Sequence, residues 1–213
     1  MISSTWRYQS DAYRWLLATI SAKGDLMRSE DGALCREVCN LGVAIQEPLA
    51  GWPIAGSGWD LPALDRYAEQ LLDWKNPSGF EYTYGERLTT YPDSLEDRCY
   101  QARFGEPGDI TNQIGRVVDR LRQNPTSRRA IAITWIPGWD SYKADVPCLQ
   151  IVDFLIRQGR LSLTAYFRSW DCQRAAPANM YGLGKLQSHV ADAVGVPTGS
   201  LTIIAASAHT YED

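Results

Sequence analysis

The chain has 213 residues, 45% of them hydrophobic, and 21 basic against 25 acidic side chains give a net charge of −4. That length suits one large domain or two small ones with an ample core, and the apolar share argues against intrinsic disorder. No stretch approaches the ~20 apolar residues of a membrane span, and the acidic balance gives no electrostatic footprint for non-specific nucleic-acid binding.

In chain order the pattern predicts a mixed α/β (α+β) protein. The start, MISSTWRYQSDAYRW, lacks a charged-then-apolar secretion layout, so a cytoplasmic protein is expected. Ser10 to Ile20 predicts a first helix stopped by Gly24, and Cys35 to Gln46 a strand ending at Glu47-Pro48. Pro48 to Gly58 reads as a loop. Asp60 caps a helix with Leu61, Leu64, Ala68, Leu71 and Leu72 on one face. Asp109 is expected to cap another, with Ile110, Ile114, Val117, Val118 and Leu121 on one side and Asn124-Pro125 at its end. Strands follow at Arg129–Trp135, Leu149–Ile156 and Leu161–Phe167. A helix from about Met180 to Val194 stops at Gly195, and a last strand covers Ser200 to Ala206. With no repeat, low-complexity run or linker, one domain over residues 1–213 is the simplest account.

Five cysteines without paired spacing argue against a disulfide framework. Two histidines and no CxxC pair give no support for a metal site. The basic residues are mostly arginine, the better bidentate ligand for phosphate, although arginine-rich codon bias gives the same counts. Position has to decide. Polar residues gather where strands and helices meet, at Ser127-Arg128-Arg129, Pro147-Cys148, Arg168-Ser169-Trp170-Asp171, Pro177-Ala178-Asn179 and His209-x-Tyr211. Each has an ordinary structural reading: a solvated helix end, a small core residue, a helix cap. Together they fit one anionic, hydrogen-bonding small molecule attacked by a thiolate.

The order of SRR, a strand ending in Trp135, PC, FRSxD, PxN and HxY resembles the thymidylate synthase family, which includes the pyrimidine nucleotide hydroxymethylases. The likeness runs unbroken from Ser127 to Tyr211 and more weakly to Tyr84-Gly85 and Arg28. YTYGERL, PCLQ and PANMYGL are most similar to the short archaeal-type members. The resemblance implies a mixed twisted sheet flanked by helices, dimerising through a sheet face. It also implies one-carbon transfer from 5,10-methylenetetrahydrofolate, or a related reduced pterin, to C5 of a pyrimidine nucleoside monophosphate.

Because C5 is a weak nucleophile, a thiolate must first add to C6, and Cys148 aligns with the family nucleophile. A nearby cation is expected to lower its pKa. Phosphate ligands implied by the resemblance are Arg28, Arg168 and Ser169 from one subunit, with Arg128 and Arg129 reaching across a homodimer. His209 and Tyr211 match the sugar-binding pair, Asp171 the folate-holding carboxylate, and Tyr84 a tyrosine near the proton-transfer network. The catalytic glutamate is expected at Glu69, with Glu86 as rival; Cys35, Cys39, Cys99 and Cys172 read as structural. Asn179 can donate to O4 and accept from N3–H of uracil, whereas the cytosine-specific hydroxymethylases carry an aspartate there.

The resemblance departs from the family pattern at Leu149, Phe167 and Ala178, and the sequence stops at Glu212-Asp213, where the usual bacterial enzyme continues into a tail that closes over the folate. Easier access of water there would favour a hydroxymethyl over a methyl product. The expected function is methylation of dUMP; a hydroxymethylase on dUMP, dCMP or CMP and a non-catalytic nucleotide-binding protein are the alternatives.

Overall fold

The computed structural model describes residues 1–76, 80–92 and 110–212. Its strands are β1 (Ile2–Trp6), β2 (Asp25–Arg28), β3 (Leu34–Ile45), β4 (Tyr91–Pro92), β5 (Ile110–Thr111), β6 (Ile131–Ile133), β7 (Leu149–Arg157), β8 (Arg160–Asp171) and β9 (Thr198–Tyr211). Its helices are α1 (Gln9–Lys23), α2 (Leu61–Gln70), α3 (Tyr84–Thr89), α4 (Gln113–Gln123), α5 (Pro137–Asp140) and α6 (Ala176–Val194). Seven strands form one mixed sheet in the order β1-β3-β9-β8-β7-β6, with β2 also paired to β3; β4 and β5 pair separately. The β1–β3 and β8–β9 pairs are parallel and the remaining ladders antiparallel.

Period-two alternation decides which face is covered. Ala132, Val152, Ala165, Ile203 and Val43 lie in one row across five strands and are all buried. They join Leu16 and Ile20 of α1 and Leu183 and Leu186 of α6 in the core. One step along, Ile133, Ile151 and Tyr166 share the opposite face with Ile131, and these four are 37–46% exposed. The sheet therefore has one face packed on helices and one apolar face open.

Several sequence expectations survive with shifted ends. Gly24 closes α1, β3 starts one residue early, and Asp60 caps α2 by accepting from the Ala63 N–H at 2.8 Å. Leu61, expected on the buried face of α2, is 42% exposed: it shares that side with Leu64 and Ala68 but stands at the first position of the helix. Asn112 caps α4, accepting from the Gly115 N–H at 2.9 Å, so the helix starts at Gln113 and Ile110 belongs to β5. Asp109, the expected cap, and Cys99 lie outside the described residues.

Three corrections bear on function. The Arg168–Asp171 run does not follow β8 but completes it, and His209 and Tyr211 likewise lie within β9. The parallel ladder continues through Asp171 opposite His209, so polar side chains that resemble a loop are held by strand pairing. Helix α6 starts at Ala176, with Pro177 in its first turn, where a missing N–H costs nothing. Asn179 is therefore a helical residue facing inward, not a cap.

Candidate active site

Cys148 sits immediately before β7, and the register of β7 on β8 slips between Leu149 and Ile151. A bulge at such a point re-aims the neighbouring side chains. Arg168 of β8 clamps the approach: its N–H donates to Cys148 O at 2.9 Å, its Nε to Pro147 O at 3.0 Å and its Nη2 to Val146 O at 2.9 Å. Half-buried Cys148 opens into a pocket of about 280 Å³ shared with Tyr67, Tyr82, Tyr84, Trp170 and Asn179. Burial pushes its thiol above the ordinary value; Arg168 pulls it down, while Asp145 and Asp171 push it up. The lowered thiol expected from the sequence is thus not obtained. Desolvation outweighs the single cation.

The tyrosine wall comes from α3 and the turn before it. Thr83 caps α3 by accepting from the Glu86 N–H at 3.0 Å. Tyr84 Oη accepts from the Leu149 N–H at 3.2 Å, and Tyr82 donates to Val146 O at 3.2 Å. Gly85 makes this position possible: a Cβ there would stand 1.9 Å from Gln70 O and 2.3 Å from Asp73 O, so α3 abuts the end of α2. A buried ion pair anchors the wall, with Arg87 Nη2 and Nη1 donating to Asp140 at 2.8 and 3.1 Å. Burial pushes the Tyr82 and Tyr84 hydroxyls upward, so both are protonated donors at neutral pH.

At the other wall, Trp170 Nε1 donates to Asn179 Oδ1 at 3.1 Å, and Asn179 Nδ2 donates to Tyr67 Oη at 2.6 Å. Tyr67 reaches α6 because Gly182 has no side chain; a Cβ there would lie 2.9 Å from the Tyr67 ring. Ser169 and Asp171 line the same pocket. Asp171 Oδ1 accepts from the N–H groups of Gln173 and Arg174, which turns the strand into α6. On β9, His209 lies in register with Asp171, and its ring meets Tyr211 edge-on at 5.2 Å. Burial pushes the His209 imidazole down, against the upward pull of Asp171 and Glu37. Arg174 stands over the Tyr211 ring at 4.9 Å.

Other expected site residues are not gathered here. Glu69 is exposed and borders a neighbouring depression that shares Tyr67 and Gln70 with the Cys148 pocket, but it does not line that pocket itself. Glu86 accepts from Asn76 Nδ2 at 3.2 Å and is likewise no part of the pocket lining. Arg28 is exposed and donates to Gly32 O at 3.0 Å, closing the β2–β3 hairpin one register step from the pairing of Cys35 with Tyr211. Arg128 and Arg129 are exposed at the other end of the sheet, before β6. Ala130 accepts from the Phe154 N–H, which sets Arg129 opposite Leu155. Seven strand residues from Cys148 place it roughly 23 Å away.

Tyr67 carries no distinguishing signal in the sequence, and Tyr82 and Trp170 stand within the YTYGERL and Arg168–Asp171 runs without a role of their own. Tyr67 stood three residues after Leu64 on the buried side of a helix, a signal shared by any core aromatic. Among the described residues no group of three His, Cys, Asp or Glu could hold a metal ion, and no helix is long and apolar enough to cross a membrane. The four described cysteines, Cys35, Cys39, Cys148 and Cys172, are free thiols.

Comparison with known proteins adds one consistent result. The family model described as thymidylate synthase matches residues 56–213. A curated relative from Methanosarcina barkeri, named "Putative thymidylate synthase", is 40% identical over 203 residues, covering 95% of this chain and 86% of the relative. Relatives of the same name from Methanothermobacter thermautotrophicus and Methanocaldococcus jannaschii are 37% and 33% identical. These cover 95% and 96% of this chain, and 90% and 88% of the relatives.

Proposed function

The chain belongs to the thymidylate synthase family and is an enzyme of that type, and from this premise we propose that it methylates C5 of dUMP through a Cys148–C6 adduct. The observation that carries the reading is the shared pocket of Cys148 and Asn179. A nucleophile and a base-reading amide face one cavity. The trans-sheet placement of Arg128 and Arg129 supports a homodimer, since neither can reach the Cys148 of its own subunit. The open apolar face with Ile131, Ile133, Ile151 and Tyr166 is the surface through which two such single-domain chains would pair.

In this reading the Cys148 sulfur forms a bond to C6 and the electron pair moves to C5, which becomes the nucleophile. Arg168 and Ser169 hold the phosphate with Arg128 and Arg129 of the partner subunit, and Arg28 closes the same end. His209 and Tyr211 hold the sugar hydroxyl, and Asn179 reads the base. Tyr84, whose oxygen already accepts from Leu149, offers its own proton to the pocket and orders water near C5. The donor set fits a reduced pterin: Asp171 keeps a second carboxylate oxygen for ring N–H groups, and Phe80 and Tyr82 supply flat apolar surface. Bound there, methylenetetrahydrofolate would supply both the one-carbon unit and the hydride that reduces it to a methyl group, while the C5 proton leaves to water held by Tyr84. Expulsion of Cys148 restores the C5–C6 double bond and frees the thiolate.

Incubation with methylenetetrahydrofolate and each of dUMP, dCMP, UMP and CMP, followed by weighing the product, tests the proposal. We expect added methyl on dUMP. A hydroxymethyl product, a preference for a cytosine nucleotide, or no product from any of the four would overturn it.

A further inference from the structure

We propose that Trp170 locks the amide orientation of Asn179 and thereby sets the base preference of the pocket for uracil over cytosine. The proposal rests on the reading of Asn179 as the base-contacting residue. An amide is ambiguous by itself, since a half-turn about its last bond exchanges oxygen and nitrogen and converts a uracil reader into a cytosine reader. Here the ambiguity is removed chemically. The indole Nε1 of Trp170 can only donate, so the atom 3.1 Å from it must be Asn179 Oδ1. The amide nitrogen then points to Tyr67 Oη at 2.6 Å, which accepts and keeps its own hydrogen for another acceptor.

Counting what remains identifies the ligand edge. Asn179 has one lone pair on Oδ1 and one N–H on Nδ2 left unused, and Tyr67 has its O–H. Uracil presents the complement, an N3–H donor beside the O4 acceptor. Cytosine presents an N3 acceptor beside an N4 donor, and would need the amide reversed. Reversal would set the Asn179 NH₂ against the indole N–H, donor facing donor, and strand the N–H of a tryptophan that is 1% exposed. Trp170 cannot turn away, because it stacks on Phe167 with ring centroids 5.5 Å apart. Tyr67, by contrast, is an adaptable partner whose hydroxyl can accept or donate. The lock is therefore the indole. Trp170 acts as a positioning residue through Asn179.

Trp170→Phe keeps the stacking ring and removes the donor. The ratio of kcat/KM for dUMP to that for dCMP should fall about 10- to 100-fold, the span expected when one buried hydrogen-bond penalty is lifted. In an Asn179→Asp background the same change should leave the ratio unmoved, since a carboxylate has no orientation to lock; a general packing defect would move both. A clear wild-type uracil preference left intact by Trp170→Phe would overturn the lock alone. A wild-type enzyme that prefers neither base would overturn the reading of Asn179 and the lock together. Should Trp170→Phe not fold, the Trp170 indole N–H resonance in the nucleotide-free enzyme decides. It should exchange slowly with solvent in the wild type and shift upfield in Asn179→Leu, and an unchanged resonance would overturn the proposal.

Discussion

The backbone N–H of Arg168 donates to the carbonyl oxygen of Cys148 at 2.9 Å, so cation and nucleophile are fixed to each other by a strand ladder. The guanidinium is spread over Val146 O and Pro147 O and does not pair with the sulfur. That division explains why its downward pull on the thiol is weaker than the upward push of burial.

The pH dependence of the reaction follows with a definite sign. With the thiol held above its ordinary value, the thiolate fraction and kcat/KM for dUMP should still be rising with pH above neutrality. Asp145→Asn removes a charge that raises the thiol and should move this ascending limb to lower pH. Arg168→Gln removes the opposing cation and should move it to higher pH. Cys148→Ala should abolish tritium release from 5-labelled dUMP throughout. A pH–rate profile of the variants checks all three, and coincident limbs would contradict the electrostatic account.

The Arg87–Asp140 pair is at most 6% exposed at either residue, and Asp140 Oδ2 also accepts from the Ile136 N–H at 2.7 Å. Asp140→Ala should cost about 3–5 kcal/mol in denaturant unfolding, because it strands a buried guanidinium. The double change Arg87→Met, Asp140→Leu should cost less than the single one. A larger loss in the double variant would mean that the pair, and not its desolvation, carries the stability.

Two glycines test how tightly α2 is wedged. Gly182→Ala meets the tip of Leu71 at 2.5 Å and the Tyr67 ring, both of which can shift, so we expect a loss of about 1–3 kcal/mol and weaker nucleotide binding. Gly85→Ala meets backbone carbonyls of Gln70 and Asp73, which cannot. It should be the more destabilising of the two in thermal unfolding, and the reverse order would refute the packing argument.

Cross-subunit phosphate binding predicts complementation. Inactive Cys148→Ala and weakly active Arg129→Ala chains, mixed and allowed to exchange, should recover activity, because half of the dimers would hold one intact site, about a quarter of wild-type sites overall. Activity no greater than the sum of the parents would place Arg129 outside the partner's site.

Much of the fold was legible locally. Asp60 announced a helix, Gly24 and Gly195 ended two, and apolar alternation marked β7 and β8. Strand ends were misread at Arg168 to Asp171 and at His209 to Tyr211, because periodicity identifies a strand only where one of its faces is apolar. There polar side chains interrupt the alternation around the buried Trp170 and Ala208. The order of Cys148, Arg168, Asn179 and His209 was equally legible, since it survives as a linear string of residue types.

Sequence by itself determined the chemistry on offer: a thiol, an amide, a phosphate-grade set of arginines, and the family to which their order belongs. Only the tertiary structure decided that Tyr67 meets Asn179, 112 residues away, and that Arg129 lies a sheet's length from its own Cys148. It also decided which way Asn179 faces. The physical reason is one of range. Caps and periodicities act within a few residues, whereas the rotation of α2, the register of β7 on β8 and the contact of Trp170 with Asn179 are set by packing between segments far apart in the chain.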